Sequence, residues 1–326
     1  MHGKNKQSQW MSIFLCLFLF GCAQLETQNR STRKSQPPSK DATFDDHATE
    51  VNQNDEESND LQPAPTRPSD LEAPKVGLIL GPGMALALSH AGVLREFDKA
   101  KIPVSGVVGL GWGAVVGGLY AKKGLANEVQ WRIYKLKKED LPERGFFSSA
   151  LNGKSVDSVR GFLKDGFAKT MIQQSEIPFG CPMISLRRGL TVWSHSGAMA
   201  DIIARCLAFP PYFKPVNGDL VGDLFALKES VAFLKKRGAQ LIVFVNVLHK
   251  GELLPKEYLK DQYMSAILWA EIRKTVQNSY GMMSEVVQVD TTAYQLTDFE
   301  KKQALVMKGE SAGAEAVKRL REKYRF

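Results

Sequence analysis

The chain has 326 residues, a formal charge of +8, 44% hydrophobic residues and four cysteines. That length supplies one large domain or two ordinary ones; the cysteine count excludes a disulfide-stapled mini-fold, and five histidines argue against a multi-metal protein. The charge is uneven: residues 1–22 carry Lys4 and Lys6 with no acid, residues 23–74 hold eleven acids against five bases, and the +12 that remains falls from Lys75 onward.

Lys4 and Lys6 precede an apolar run from Met11 to Phe20 that ends at Gly21-Cys22. A spanning helix needs ~20 apolar residues, so this run fits the hydrophobic region of a signal peptide instead. Leu19-Phe20-Gly21-Cys22 resembles a bacterial lipobox, which implies a lipid on Cys22. Ala23 after that cysteine resembles outer-membrane sorting, so the expected location is the cell envelope, at the periplasmic face of the outer membrane. An ordinary secretory signal with an incidental cysteine is the other reading. Residues 23–74 are polar, acidic and proline-rich, with too little apolar surface to offset the entropy of ordering. They read as a tether between the anchor and a folded domain over 75–326.

The folded part opens with Lys75-Val76-Gly77-Leu78-Ile79-Leu80, a buried strand that runs into Gly81-Pro82-Gly83. Leu86, Ala87, His90, Val93, Leu94 and Phe97 then recur at helical spacing. Val104 to Val108 is a second strand, and Gly109-Leu110-Gly111-Trp112-Gly113 turns from it into a small-residue helix through Tyr120. A helix from Ala226 to Arg237 precedes Leu241 to Val247, an apolar run of the kind covered on both faces. Alternating strands and helices predict an α/β domain with a mostly parallel sheet.

The first glycine turn is a poor dinucleotide cradle, because Leu86 stands where helix–strand packing needs a third glycine and Pro82 offers no donor. The second has the outline of a nucleophile elbow, Gly-x-Ser-x-Gly, with Gly111 in the place of the serine. Together with these turns, Leu80 through Leu94, Val104 through Ala121, Ser196 through Asp201, Phe209 through Val216 and Phe299 through Gly313 follow one another at spacings that resemble the bacterial patatin-like phospholipase family. The resemblance covers nearly all of 75–326. It implies a three-layer α/β/α fold and acyl-ester hydrolysis by a Ser–Asp dyad, with no cofactor and no metal. The loop Gly81, Pro82, Gly83 and Met84 would supply oxyanion donors, and Gly109 and Gly113 would flank the elbow.

Against that pattern the chemical positions are altered. Gly111 has no side chain to act as nucleophile. Counting back from Gly238-Ala239 places the family aspartate at Gly222, beside Asp223, and glycine cannot take a proton. Pro82 removes one backbone donor, a loss of ~10²–10³ in rate at an oxyanion hole, and Leu86 replaces the loop's usual basic residue. The expectation is a non-catalytic domain that binds a lipid or acyl ligand, or an envelope protein partner. The rival is a divergent hydrolase using Ser105 or Ser194, the latter beside His195, Ser196 and Asp201. Ser89-His90 reads as packing, and His195 and His249 as surface or satisfied core histidines. Cys181 and Cys206 either pair or lie buried apart. Lys135-Leu136-Lys137-Lys138, Lys235-Lys236-Arg237 and Lys318-Arg319 read as solvated faces or as contacts to an anionic surface. An exported, lipid-anchored chain would meet no nucleic acid.

Overall fold

The structure is a computed structural model that describes residues 73–137, 140–141, 155–256, 263–324 and 326. The predicted signal peptide, Cys22 and all of the tether before residue 73 lie outside the described residues. Strand β1 (Val76–Leu80) is buried throughout and lies between β2 (Val104–Gly109) and β7 (Leu241–Asn246), both parallel to it. Leu78 faces Val107 on one side and Val243 on the other. A two-residue β3 (Phe179–Gly180) and β8 (Glu285–Gln288) complete a five-stranded, wholly parallel sheet of order β3-β2-β1-β7-β8. The central strands are Val-, Ile- and Leu-rich because helices cover both of their faces.

Helix α2 (Trp112–Lys123) lies on one face, with Gly117 against Val107 and Leu80; α6 (Leu227–Lys235) lies on the other, with Leu234 against Gly77 and Gly106. The outer layers are filled by α1 (His90–Lys99), α3 (Ala126–Tyr134), α4 (Asp157–Phe167), α5 (Met199–Leu207), α7 (Tyr263–Asn278) and α8 (Lys302–Lys323). This is the three-layer α/β arrangement expected. Among the described residues no helix is long and apolar enough to cross a membrane.

Three features differ from or extend the sequence reading. The helix predicted from Leu86 opens instead as a 3₁₀ turn over Met84–Ser89, entered through Met84 at φ +46°, and α1 starts only at His90. A second, antiparallel sheet of order β5-β4-β6 joins Leu190–Val192, Met183–Ser185 and Leu220–Gly222. Strands of three residues are too short to show a period. Cys181 and Cys206 are joined in a disulfide, the first of the two possibilities left open above.

The C-terminal helix clamps the start of the domain. A Cβ on Gly309 would lie 1.8 Å from the Ser89 carbonyl oxygen, and one on Gly92 would lie 2.0 Å from that of Val306. Backbone thus meets backbone where α8 crosses α1, a contact only glycine permits.

Candidate functional site

The two glycine turns come together at the carboxyl ends of β1 and β2. Leu110 N–H donates to the Leu80 carbonyl (3.0 Å), and Gly81 N–H to that of Val245 (3.0 Å). A Cβ on Gly113 would fall 2.3 Å from the Leu80 carbonyl oxygen, so the elbow helix touches β1 through bare backbone. Gly111 itself precedes α2 at φ +55°, ψ −122°, a left-handed conformation that costs other residues energy. The turn therefore has the sharp geometry of a nucleophile elbow, with no atom projecting from it.

What faces Gly111 is Leu224. A Cβ built on Gly111 would meet only Leu224 Cδ2, at 3.0 Å. Residue 222 faces elsewhere: a Cβ there would run into the Cys206 carbonyl oxygen at 2.1 Å, so this backbone excludes any side chain at that position. Asp223 is buried and fully engaged. Its Oδ2 accepts from Thr191 Oγ1 (2.7 Å), its Oδ1 from Phe225 N–H (3.0 Å), and its own N–H donates to the Pro182 carbonyl (3.0 Å). These bonds tie its carboxylate to β5 and to the turn after β6. Counting residues from Gly238 points to 222, whereas the side chain beside Gly111 comes from 224, a distinction that only the path of the chain after β6 reveals.

The oxyanion-loop positions line the same place. Pro82 has no N–H, while among the described residues no backbone acceptor takes the N–H of Gly83 or of Trp112. The loop is held by His90, whose Nε2 lies 2.9 Å from the Gly81 carbonyl oxygen. That assigns the proton to Nε2 and leaves Nδ1 buried without a partner among the described residues. Burial lowers the His90 pKa from 6.5 to about 4, the hydrogen bond to Gly81 opposing it, so the ring is neutral at pH 7. The sequence suggested packing for Ser89-His90. Ser89 does pack, its hydroxyl on the Leu86 carbonyl (2.7 Å), but His90 positions the loop.

Around the elbow is an apolar cleft walled by Met84, Trp112, Phe209, Phe213, Leu224 and Trp269, with a cavity volume of about 20 Å³. That is room for about one water. Trp269 is held by its Nε1 donating to Tyr212 Oη (2.6 Å) and also borders a neighbouring cavity of about 250 Å³, beside Leu253 and Leu254. Trp112 stacks obliquely on Phe299 at 4.8 Å, and its buried Nε1 has no partner among the described residues.

The rival nucleophiles lie elsewhere. Ser105 sits at the amino end of β2 and donates to the Val76 carbonyl (3.3 Å). Ser194 and His195 line a separate cavity, and Asp201 pairs with Arg160 (3.1 Å) on α4. His249 is satisfied, with Nε2 on the Tyr294 carbonyl (3.0 Å) and Nδ1 accepting from Gly251 N–H (3.0 Å). Among the described residues no cluster of His, Cys, Asp or Glu could hold a metal.

The profile of the patatin-like phospholipase family matches residues 78–220, which contain both glycine turns. An NTE family protein of Mycobacterium bovis is 29% identical over 170 residues, 49% of this chain and 45% of that protein. The lysophospholipase nte1 of Neurospora crassa is 26% identical over 195 residues, 56% of this chain and 12% of the relative. The chain thus spans less than half the length of either relative. The solved structure of VipD from Legionella pneumophila aligns over 76% of this chain and 67% of that one, at 11% identity and a TM-score of 0.39. With its elbow and loop meeting at the head of a parallel sheet, this chain carries a patatin-like phospholipase domain homologous to the NTE family.

Proposed function

We propose that the chain is an envelope lipoprotein whose patatin-like domain holds a lipid or acyl ligand without hydrolysing it by the family's Ser–Asp dyad. One observation carries this reading: the position that should project a nucleophile is Gly111, and its nearest neighbour is a leucine methyl. Acyl transfer needs an activated oxygen and a base within hydrogen-bond reach, and neither stands at this elbow. The apolar walls of the cleft support an acyl ligand, and the cavity behind Trp269 supplies length once that indole turns aside. The hydrophobic run before Cys22 supports export and lipidation, and the Cys181–Cys206 disulfide fits an oxidising compartment.

The test uses purified full-length protein. No fluorophosphonate labelling and no turnover of short acyl esters are expected, together with saturable binding of a fluorescent fatty acid that Leu224→Trp abolishes. Robust esterase activity would sink the reading. Absence of any acyl binding would replace it with an envelope protein partner, sought by crosslinking in cells. The anchor is tested separately: Cys22→Ser should stop palmitate incorporation and release the chain from the membrane fraction.

A further inference from the structure

At the amino ends of the strands, away from the elbow, a cavity of about 230 Å³ is lined by Gln173, Ser175, Ser194, His195 and Arg237 among others. Arg237 follows α6, and its side chain is held in place. The guanidinium carbon lies 3.4 Å over the Phe233 ring, Nη1 donates to the Phe233 carbonyl (3.2 Å), and Phe233 in turn stacks on Trp193 at 4.7 Å. A guanidinium fixed this way loses little freedom when it binds, and its other N–H groups remain as a planar donor edge.

The neighbours match that polarity. Gln173 Oε1 already accepts from Gly197 N–H (3.2 Å), which leaves the amide NH₂ as the end a ligand would meet. Ser175 spends its proton on the Ile172 carbonyl (2.8 Å), while the Ser194 hydroxyl and the His195 ring add further polar atoms. No carboxylate is among the described residues that line the cavity. Asp201, the nearest acid to Ser194 and His195 in sequence, is turned to Arg160. A fixed guanidinium beside polar groups, with no carboxylate among the described lining residues, suits a compact anion.

We propose that Arg237, Gln173, Ser194 and His195 bind a phosphate group, carried either by a soluble phosphomonoester or by an anionic lipid headgroup. This gives Ser194-His195 a role in binding, separate from the elbow and independent of whether the cleft takes an acyl chain.

The experiment is calorimetric titration of the full-length protein with inorganic phosphate and with glycerol phosphate, beside flotation with phosphatidylcholine vesicles with and without phosphatidic acid. Saturable binding of the soluble anions supports the proposal with a soluble ligand. Binding only to the phosphatidic-acid vesicles supports it with a headgroup, provided Arg237→Gln weakens it. In either case Arg237→Gln should lower affinity about tenfold or more, the range a hydrogen bond to a charged group supplies. Because Arg237 also caps a carbonyl, Ser194→Ala serves as the milder second variant, with a smaller loss and an unchanged denaturation midpoint. No binding in any arm, or binding that neither variant weakens, overturns the proposal.

Discussion

Replacing Gly111 by serine restores the atom the elbow lacks, and the structure says what that costs and what it does not return. Residue 111 must keep φ +55° and ψ −122° for β2 to turn into α2. A side chain in such a conformation costs ~1–3 kcal/mol. The new Cβ would lie 3.0 Å from Leu224 Cδ2, the far end of a flexible side chain that can give way, so sterics add little. A net loss of about 2 kcal/mol lowers Tm by about 4–8 °C for a domain of this size. Gly111→Ala should lose as much, which separates the backbone cost from the hydroxyl. Catalysis is not expected, because the Asp223 carboxylate is committed to Thr191 and Phe225. A positioned base is worth ~10²–10⁴ in rate. The assay is thermal unfolding of wild type, Gly111→Ala and Gly111→Ser, followed by fluorophosphonate labelling and turnover of a short acyl ester. Unchanged Tm in both variants would refute the backbone argument. Rapid labelling of Gly111→Ser would refute the claim that nothing at the elbow can act as a base. The companion change belongs at Leu224, since this backbone admits no side chain at 222.

Four further outcomes follow from the packing, a titratable group and the disulfide. Gly309→Ala gains ~1 kcal/mol of helix propensity but places a methyl on the Ser89 carbonyl, and overpacking costs ~1–3 kcal/mol or more, so its urea midpoint should fall. Gly161→Ala, exposed in α4 with no described residue within 4 Å of its Cβ, should raise the midpoint by ~0.5–1 kcal/mol equivalent. The His90 pKa is depressed in the fold from 6.5 to about 4, so its contribution is complete above pH 6.5 and is lost as pH falls toward 4. At ~1.4 kcal/mol per pH unit this amounts to about 3 kcal/mol, and the urea midpoint of His90→Gln should vary less with pH over that window. Removing the Cys181–Cys206 bond, which spans 25 residues of sequence, should cost about 3 kcal/mol; without reductant, neither thiol should take up an alkylating agent.

The central sheet was legible because β1, β2 and β7 are buried on both faces and write that directly as apolar runs. The elbow was legible as well, since Gly109 and Gly113 are required by backbone contact whatever the chemistry between them. The short strands β3 to β6 carried no signal, being two or three residues long and held by their neighbours. Leu224 escaped notice because facing an elbow depends on the bend after Gly222, which no spacing encodes. His90 escaped for a different reason: its helical period looks the same whether it fills space or holds a carbonyl. Arg237 read as one of three basic residues in a row, and its seat on the ring and carbonyl of Phe233 sets it apart from Lys235 and Lys236.

The cleft's two walls are built of different material. On one side the Gly81 turn is fastened by His90, and the helix behind it meets α8 backbone to backbone at Gly92 and Gly309. On the other side Trp269 is held by a hydrogen bond to Tyr212 and borders empty space. Widening the cleft from the first side would mean parting two helices, and from the second only turning an indole. Substitutions on α7 and near Tyr212 can therefore retune what the cleft admits while the elbow keeps its shape. Over evolutionary time, such a division lets a lineage reshape the cleft without rebuilding the turns that form the elbow.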